Sequence, residues 1–369
     1  MNVYILYSRF AKDKNTVLIG GVETYIRCLY EVFESLGYKV TVYQNANEDF
    51  DEYIENLHVC GVGGAKNCKG QLEYIAKQEP DYENDILIFA TDMLVVKSKF
   101  KKVIAIQHGI AFDITKLKKT GMIKNIKYAL KGALRALVKH KRFSYCSDIV
   151  CVDYNFVNWY RTQVAHIDAR LHVIPNFSKI PGKTEREENR ISIIFARRLV
   201  EYRGTRIFTN AIKKIKRMHP DVSVTIAGEG PEKKWMQEQL QEFSGVTFTS
   251  YKPDESLSIH QKHDIAVVPT RGSEGTSLSL LEAMATGCAV IATNVGGMTN
   301  IILDGFNGLM ISPDSDELAD ALLKLIENEE LRKKLSCNAR ETVTEAFSYE
   351  KWRERWIKLI QGLENETVK

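Results

Sequence analysis

Arg271-Gly272-Ser273-Glu274-Gly275-Thr276-Ser277-Leu278-Ser279-Leu280-Leu281-Glu282-Ala283-Met284-Ala285-Thr286-Gly287 joins a strand-like apolar run to a helix-like one. The apolar run ends near Pro269, a small polar loop follows, and helical spacing begins near Ser277. Strand, small-residue loop and helix in succession form the repeating unit of doubly wound α/β sheets. The first amides of such a helix have no partner inside it, so those of Thr276, Ser277 and Leu278 are available to a diphosphate. Glu274 precedes the helix and Glu282 lies in its second turn, so one carboxylate can reach a sugar and the other hydroxyls further along the same ligand. Ser279 and Glu282 also have capping-box spacing if the helix begins slightly later. Taken alone, two acids at this separation are as well explained by a capped core helix with an incidental acid in its loop.

The same alternation extends in both directions. Towards the C-terminus and back to residue 191, strands are expected at 191–195, 222–227, 246–249, 265–268 and 289–293. Helices are expected near 204–217, 232–242, 277–285 and 317–327. The first half repeats the scheme, with strands at 3–7, 40–43, 86–89, 103–106, 149–152 and 172–174 and a helix over 22–36 that stops at Gly37. Short apolar runs alternating with amphipathic ones predict mostly parallel sheets. The polar stretch 177–190, with Pro181-Gly182 and three glutamates, reads as a linker. The expected organisation is a Rossmann-like domain at 1–178, a linker at 179–190, a second Rossmann-like domain at 191–347 and a terminal helix at 348–369 that returns to the first domain. Two such domains would face each other across a cleft at the carboxyl ends of their strands.

Composition narrows the class. The chain has 369 residues, 44% hydrophobic and 27% charged, which suits two globular domains and argues against disorder or a fibrous repeat. Seven cysteines without a C-x-x-C pair read as reduced thiols in a cytoplasmic protein. No apolar stretch is long enough to span a bilayer, and the first residues resemble a strand more than a signal peptide. Net charge is only +4, but residues 101–150 carry twelve Lys/Arg against Asp113 and Asp148.

Glu274, then Glu282-Ala283-Met284-Ala285 and Gly287, resembles the E-x7-E and E-A-M-A-x-G run of retaining GT-B glycosyltransferases of the family-four type, glycosyl transferases group 1. Further likenesses come in family order: Gly20-Gly21-Val22-Glu23, Val173-Ile174-Pro175-Asn176 and Ile226-Ala227-Gly228-Glu229-Gly230-Pro231. The family's basic pair corresponds to Arg198, before Leu199, and to Arg203, before Gly204, where the family carries Lys. Arg197 is an additional cation where the family more often has Gly, and it reads as a solvated surface charge.

The resemblance implies transfer of a hexosyl unit from a nucleotide-sugar co-substrate to an acceptor hydroxyl, with retention and with no cofactor or metal. It implies catalytic roles for His108, in the turn after 103–106, and for Glu274 at the donor sugar. Donor binding would involve Gly20, Gly21, Arg198, Arg203, Tyr251 through its backbone, Gly275, Thr276, Ser277, Leu278 and, at the ribose, Glu282. Asp113 and Asn176 would orient the acceptor. Arg198, Arg203 and the helix amides can neutralise a leaving diphosphate without a metal. Asp49-Phe50-Asp51 reads as an acidic loop, Asp314-Ser315-Asp316 as a helix cap, His260 and His263 as a pair lacking a third ligand, and Gly61–Lys66 as a flexible turn.

Residues 116–142 contain no acid. Ile123, Ile126, Leu130, Leu134 and Leu137 recur at helical spacing beside Lys124, Lys127, Lys131, Arg135 and Lys139. One reading is a domain helix with its apolar face in the core. The other is docking on anionic lipid at the cytoplasmic face of a membrane, which suits a lipid-linked or glycan acceptor in surface polysaccharide synthesis. No nucleic-acid motif accompanies the charge. Two alternative functions share the double fold, a sugar-nucleotide epimerase and a non-catalytic nucleotide-sugar-binding protein. A dinucleotide oxidoreductase is disfavoured by the lack of G-x-G-x-x-G after either first strand.

Overall fold

Ile86-Leu87-Ile88-Phe89 is fully buried at every position. A run that is apolar on both faces belongs inside a parallel sheet covered by helices on both sides. A computed structural model, which describes residues 1–12, 16–18, 20–110, 121–164, 166–182, 190–272 and 274–365, places it there. The chain divides into two units. Unit 1 comprises Met1–His108, Lys119–Ile174 and Arg353–Lys369, and unit 2 comprises Gly109–Lys118 and Pro175–Trp352. The division at Ile174/Pro175 lies four residues before the domain end read from the sequence.

In unit 1 the elements run β1 (Asn2–Leu6), α1 (Gly21–Ser35), β2 (Lys39–Ala46), β3 (Phe50–Ile54), β4 (Leu57–Gly63), α2 (Cys68–Ala76), β5 (Ile86–Phe89), β6 (Lys102–Gln107), α3 (Met122–Phe143), β7 (Asp148–Cys151), α4 (Tyr154–Gln163) and β8 (Arg170–Val173). The sheet order is β3-β4-β2-β1-β5-β6-β7-β8. Every pairing is parallel except β3 with β4. That hairpin corrects two expectations. Phe50 and Asp51 begin an edge strand and leave only Asp49 in the loop, and Gly61-Val62-Gly63 lies within β4, so the turn is confined to 64–66. Glu55 and Asn56, both at positive φ (50° and 68°), form the reversal between them. Two consecutive positive-φ residues match the right-handed twist of the flanking strands.

Unit 2 contains β9 (Ser192–Ala196), α5 (Thr205–Met218), β10 (Ser223–Ala227), α6 (Lys233–Leu240), β11 (Val246–Thr249), α7 (Ser256–Gln261), β12 (Ile265–Val268), α8 (Leu278–Ala285), β13 (Ala289–Thr293), β14 (Leu309–Ile311), α9 (Ser315–Glu327) and α10 (Glu329–Ala346). Its sheet, β11-β10-β9-β12-β13-β14, is parallel throughout. Side chains along β9 alternate between two cores. Ile193 and Phe195 pack with α5, α6 and α9, whereas Ile194 and Ala196 pack with α8 and α10. This is the period-two consequence of the pleat in a sheet covered on both faces.

The last helix, α11 (Tyr349–Asn365), begins with unit 2 and continues in unit 1. Trp352 stacks near Phe177 in unit 2, at 4.4 Å between ring centres. Trp356 is fully buried in unit 1, where its indole N–H donates to Tyr25 Oη at 3.0 Å. Among the described residues no helix is long and apolar enough to cross a membrane.

Candidate active site

In unit 2 the carboxyl end of β9 is held against the turn after β10. Arg197 N donates to Ala227 O at 3.0 Å and Leu199 N to Glu229 O at 2.8 Å. Gly228 (φ +143°) brings the two turns together so closely that a Cβ there would lie 2.2 Å from Arg197 O. The Ile226–Pro231 run therefore positions the basic residues of the neighbouring turn. Gly204 (φ +87°) starts α5 under Pro269, and a Cβ there would lie 1.8 Å from Pro269 O. Only glycine meets both demands, and the result is that Arg203 stands beside the loop that follows β12.

Glu274 sits in that loop. Arg197 Nη2 donates to both of its carboxylate oxygens at 3.0 Å, and Thr270 Oγ1 donates to Oε2 at 2.8 Å. Arg203 Nη1 forms an ion pair with Oε1 at 2.6 Å. Arg197 is buried and also donates to Thr270 Oγ1 at 2.6 Å. The expectation of a solvated Arg197 is thus corrected. A buried carboxylate requires a desolvated cation beside it, and Arg197 supplies that cation. Burial pushes Glu274 up, but Arg197, Arg203 and the hydroxyls outweigh it and bring its pKa down to about 2. Arg198 is exposed, with Nη2 3.3 Å from Tyr202 Oη.

Ser277 is the N-cap of α8 and makes no side-chain cap bond. Glu282 accepts from Ser256 Oγ at 2.6 Å, which replaces the expected capping box with Ser279. Burial outweighs the Ser256 hydrogen bond, and its pKa rises to about 7. Asn176 is bound to the same loop, its N–H donating to Thr276 Oγ1 at 2.8 Å and its Nδ2 to Thr276 O at 2.6 Å. Tyr251 packs against the α8 core, and its phenol is raised first by burial and then by Glu282. Unit 2 therefore brings together Asn176, Arg203, Gly275, Thr276, Ser277 and Leu278 around Glu274, with Glu282 one turn further along α8. Sequence reading missed Arg197, Thr270 and Ser256. The available signal was physical, because an acid in a small-residue loop between two buried elements needs nearby donors.

In unit 1, His108 follows β6 and is partly buried. Its Nε2 lies 2.9 Å from Ala90 O. A carbonyl only accepts, so Nε2 carries the proton and Nδ1 is the free acceptor of the neutral ring. Burial lowers its pKa. Tyr25 meets the ring edge-on at 5.3 Å. Gly20 is the N-cap of α1 and Gly21 its first residue; the Glu23 carboxylate lies against Gly20 and accepts from Tyr7 Oη at 3.1 Å. Asp113 lies outside the described residues.

The basic helix α3 needs two corrections. Lys139 is buried in an ion pair with Asp92, so it leaves the basic stripe. Ala136, Lys139 and Phe143 form the buried side of the helix. Ile126, Leu130, Leu134 and Leu137 are 53–65% exposed and do not enter a core. Lys124, Lys127, Lys131 and Arg135 are exposed beside them; the side chain of Ile123 is outside the described set.

The remaining polar pairs are engaged within the fold. Asp49 Oδ1 accepts from Gly63 N at 2.6 Å, and Asp51 Oδ1 lies 2.5 Å from His58 Nε2. Asp314 caps α9 and Asp316 pairs with Lys214 at 2.5 Å. His260 Nδ1 donates to Ser256 O at 2.7 Å, and His263 Nδ1 to Ile259 O at 2.8 Å.

Two α/β units, the second with an acid and basic cluster at the carboxyl edge of its parallel sheet, have the fold of the GT-B glycosyltransferases. Sucrose-phosphate synthase from Thermosynechococcus elongatus superposes with a TM-score of 0.76 at 17% identity, over 99% of this chain and 99% of that one. Anabaena HepE in complex with UDP superposes with a TM-score of 0.74 at 15% identity, over 98% of this chain and 100% of that one. Residues 176–342 match the family glycosyl transferases group 1. An uncharacterized glycosyltransferase of Methanocaldococcus jannaschii is 25% identical over 298 residues, which is 77% of this chain and 74% of the relative.

Proposed function

We propose that this glycosyltransferase moves a hexosyl unit from a nucleoside diphosphate sugar to a hydroxyl of a glycan or lipid-linked acceptor, with retention at the anomeric carbon and without a metal, in surface polysaccharide synthesis. The observation that carries the donor reading is the pairing of Glu274 with Arg203 beside the uncapped start of α8, one turn before Glu282. Arg198, Arg203 and the amides of Gly275–Leu278 neutralise the diphosphate as it leaves, and negative charge developing at a helix start is stabilised there. Glu282 accepts the ribose hydroxyls, Tyr251 adjoins the base through its backbone, and Glu274 takes the donor sugar. Gly20 and Gly21 in unit 1 offer a close backbone to the phosphates. His108, neutral with Nδ1 as acceptor, is assigned to the reacting sugar, and Asn176 supports the loop after Glu274. Retention rests on the family resemblance. HepE, whose structure contains UDP, supports a nucleotide of that class.

The exposed leucines and lysines of α3 support an anionic membrane surface as the place of work. Apolar residues enter the headgroup boundary while each Lys or Arg near the surface contributes about 1 kcal/mol.

A calorimetric panel of UDP-glucose, UDP-N-acetylglucosamine, GDP-mannose and ADP-glucose tests the donor reading. One of them should bind, and a product formed with acceptor should keep the donor's anomeric configuration by NMR. Binding of none, or turnover of a nucleotide-sugar to its epimer without acceptor, overturns it.

A further inference from the structure

The Glu274 carboxylate is already surrounded by two arginines and a hydroxyl. Arg197 Nη2 reaches both oxygens, Thr270 Oγ1 reaches Oε2, and Arg203 pairs with Oε1. Three of a carboxylate's roughly four lone-pair directions are filled by these hydrogen bonds, and Arg203 Nη1, ion-paired at 2.6 Å without hydrogen-bond geometry, stands where a sugar hydroxyl would reach Oε1. The donors differ in how firmly they are fixed. Arg197 is 6% exposed at its side chain and closes a ring with Thr270 and Glu274, since Nη1 also donates to Thr270 Oγ1. Arg203 is 20% exposed at its side chain, with its guanidinium 4.9 Å from the centre of the Tyr202 ring, whose hydroxyl Arg198 also approaches. Arg203 is therefore the donor that can be released.

Resting on the donor site proposed above, we infer that Glu274 holds Arg203 in the empty site and yields it to the incoming donor's diphosphate, while Arg197 acts as a positioning residue that keeps Glu274 in place through the exchange. The vacated Oε1 then accepts a hydroxyl of the donor sugar. Diphosphate binding thus opens the sugar contact, and the two halves of the donor are recognised in sequence. Arg197 is essential to this arrangement. Without it, departure of Arg203 would leave a buried carboxylate with no cation, which is strongly unfavourable.

The exchange makes an unusual demand on affinity. UDP, GDP and ADP are titrated by calorimetry into wild-type protein, Glu274→Gln, Arg203→Ala and the double variant, with melting curves confirming that each is folded. For the diphosphate that binds wild type, Glu274→Gln should tighten binding by about fivefold or more, because Arg203 no longer has to be withdrawn from the acid. The same substitution in the Arg203→Ala background should change affinity by less than about twofold, since distant charge alone is not the cause. Unchanged or weaker binding in Glu274→Gln overturns the exchange. So does equal tightening in both backgrounds, which would make Glu274 a bare repulsive charge. For Arg197 the readout is the gain in affinity of a nucleotide-sugar over its own nucleoside diphosphate. Arg197→Gln should abolish that gain while leaving the diphosphate itself bound, and Arg197→Lys should restore part of it. A parallel loss for both ligands would reduce Arg197 to a fold-supporting residue. If none of the nucleotides binds wild type, the donor-site reading fails first and the exchange with it.

Discussion

Glu274 and Glu282 flank one turn of loop and helix, yet their pKa values are driven to opposite sides of the ordinary value, to about 2 and about 7. Burial acts on both, and two arginines separate their fates. The sign of the pH effect follows. Glu282 binds its proton more tightly folded than unfolded, so its contribution to stability is complete below about pH 4.5 and is lost as pH rises through about 7. Glu274 contributes above about pH 4.5, and that contribution is lost as pH falls towards 2. Ribose hydroxyls need an ionised Glu282, so donor affinity should climb between pH 6 and 8 and level off above. Calorimetry across that range measures it, and Glu282→Gln should remove the slope. Glu282→Ala should weaken donor binding roughly 10- to 100-fold, the loss of a hydrogen bond to a charged group worth about 1.5–3 kcal/mol; unchanged affinity would exclude the ribose role. At this scale both glutamates and the basic pair were legible through their likeness to the family's motifs, not through spacing alone. It did not display Arg197, because a charged residue carries no local mark of burial. Only the three-dimensional approach of β9 to the loop after β12 reveals its partner.

Among the elements, α3 makes the sharpest claim about surroundings. Its buried side is narrow, through Ala136, Lys139 and Phe143, and its remaining apolar residues stand in solvent beside lysines. Changing Lys124, Lys127, Lys131 and Arg135 to Glu should release the protein from phosphatidylglycerol vesicles. Changing Leu130 and Leu134 to Ser should weaken binding even at low salt, where electrostatic attraction is greatest. Both variants should keep wild-type melting curves, since these side chains support no core. Vesicle flotation is the measurement, and wild-type protein that fails to float at low salt would leave a soluble acceptor as the better reading. Element boundaries were legible wherever burial is one- or two-sided and regular. The runs 86–89, 246–249, 265–268 and 289–293 coincide with strands because their apolar residues bracket them. The β3–β4 hairpin escaped notice because an edge strand exposes acids and glycines normally mark turns. Helix α10 escaped because only Leu335, Ala339 and Val343 are buried along eighteen residues.

For the whole molecule, alternation along the chain made the two α/β units legible, whereas the division of α11 between them depends on tertiary contacts. Trp356 is fully enclosed in unit 1, so Trp356→Ala should cost about 3–5 kcal/mol there. Hydrogen exchange should show lost protection in β1, β5 and α1, with the strands of unit 2 unaffected. Equal loss in both units would contradict this assignment of the helix. A second test concerns the reaction itself. If arginines and helix amides hold the diphosphate as proposed, transfer should persist in EDTA, and activity abolished by chelator and restored by Mg²⁺ or Mn²⁺ would require a metal.

Because α11 closes unit 1 from the far end of the chain, biosynthesis is tied to architecture. Residues 353–365 leave the ribosome about 180 residues after β8, a delay of roughly 10–40 s at about 5–20 residues per second. During that interval unit 1 has its sheet but not its last helix, and the pocket for Trp356 beside Tyr25 and Phe33 is open to water. Unit 2, apart from Gly109–Lys118, is one continuous stretch from Pro175 to Trp352 and is complete before residues 353–365 emerge. The nascent N-terminal half therefore presents an aromatic-lined apolar surface that a ribosome-associated chaperone can shield until α11 has emerged.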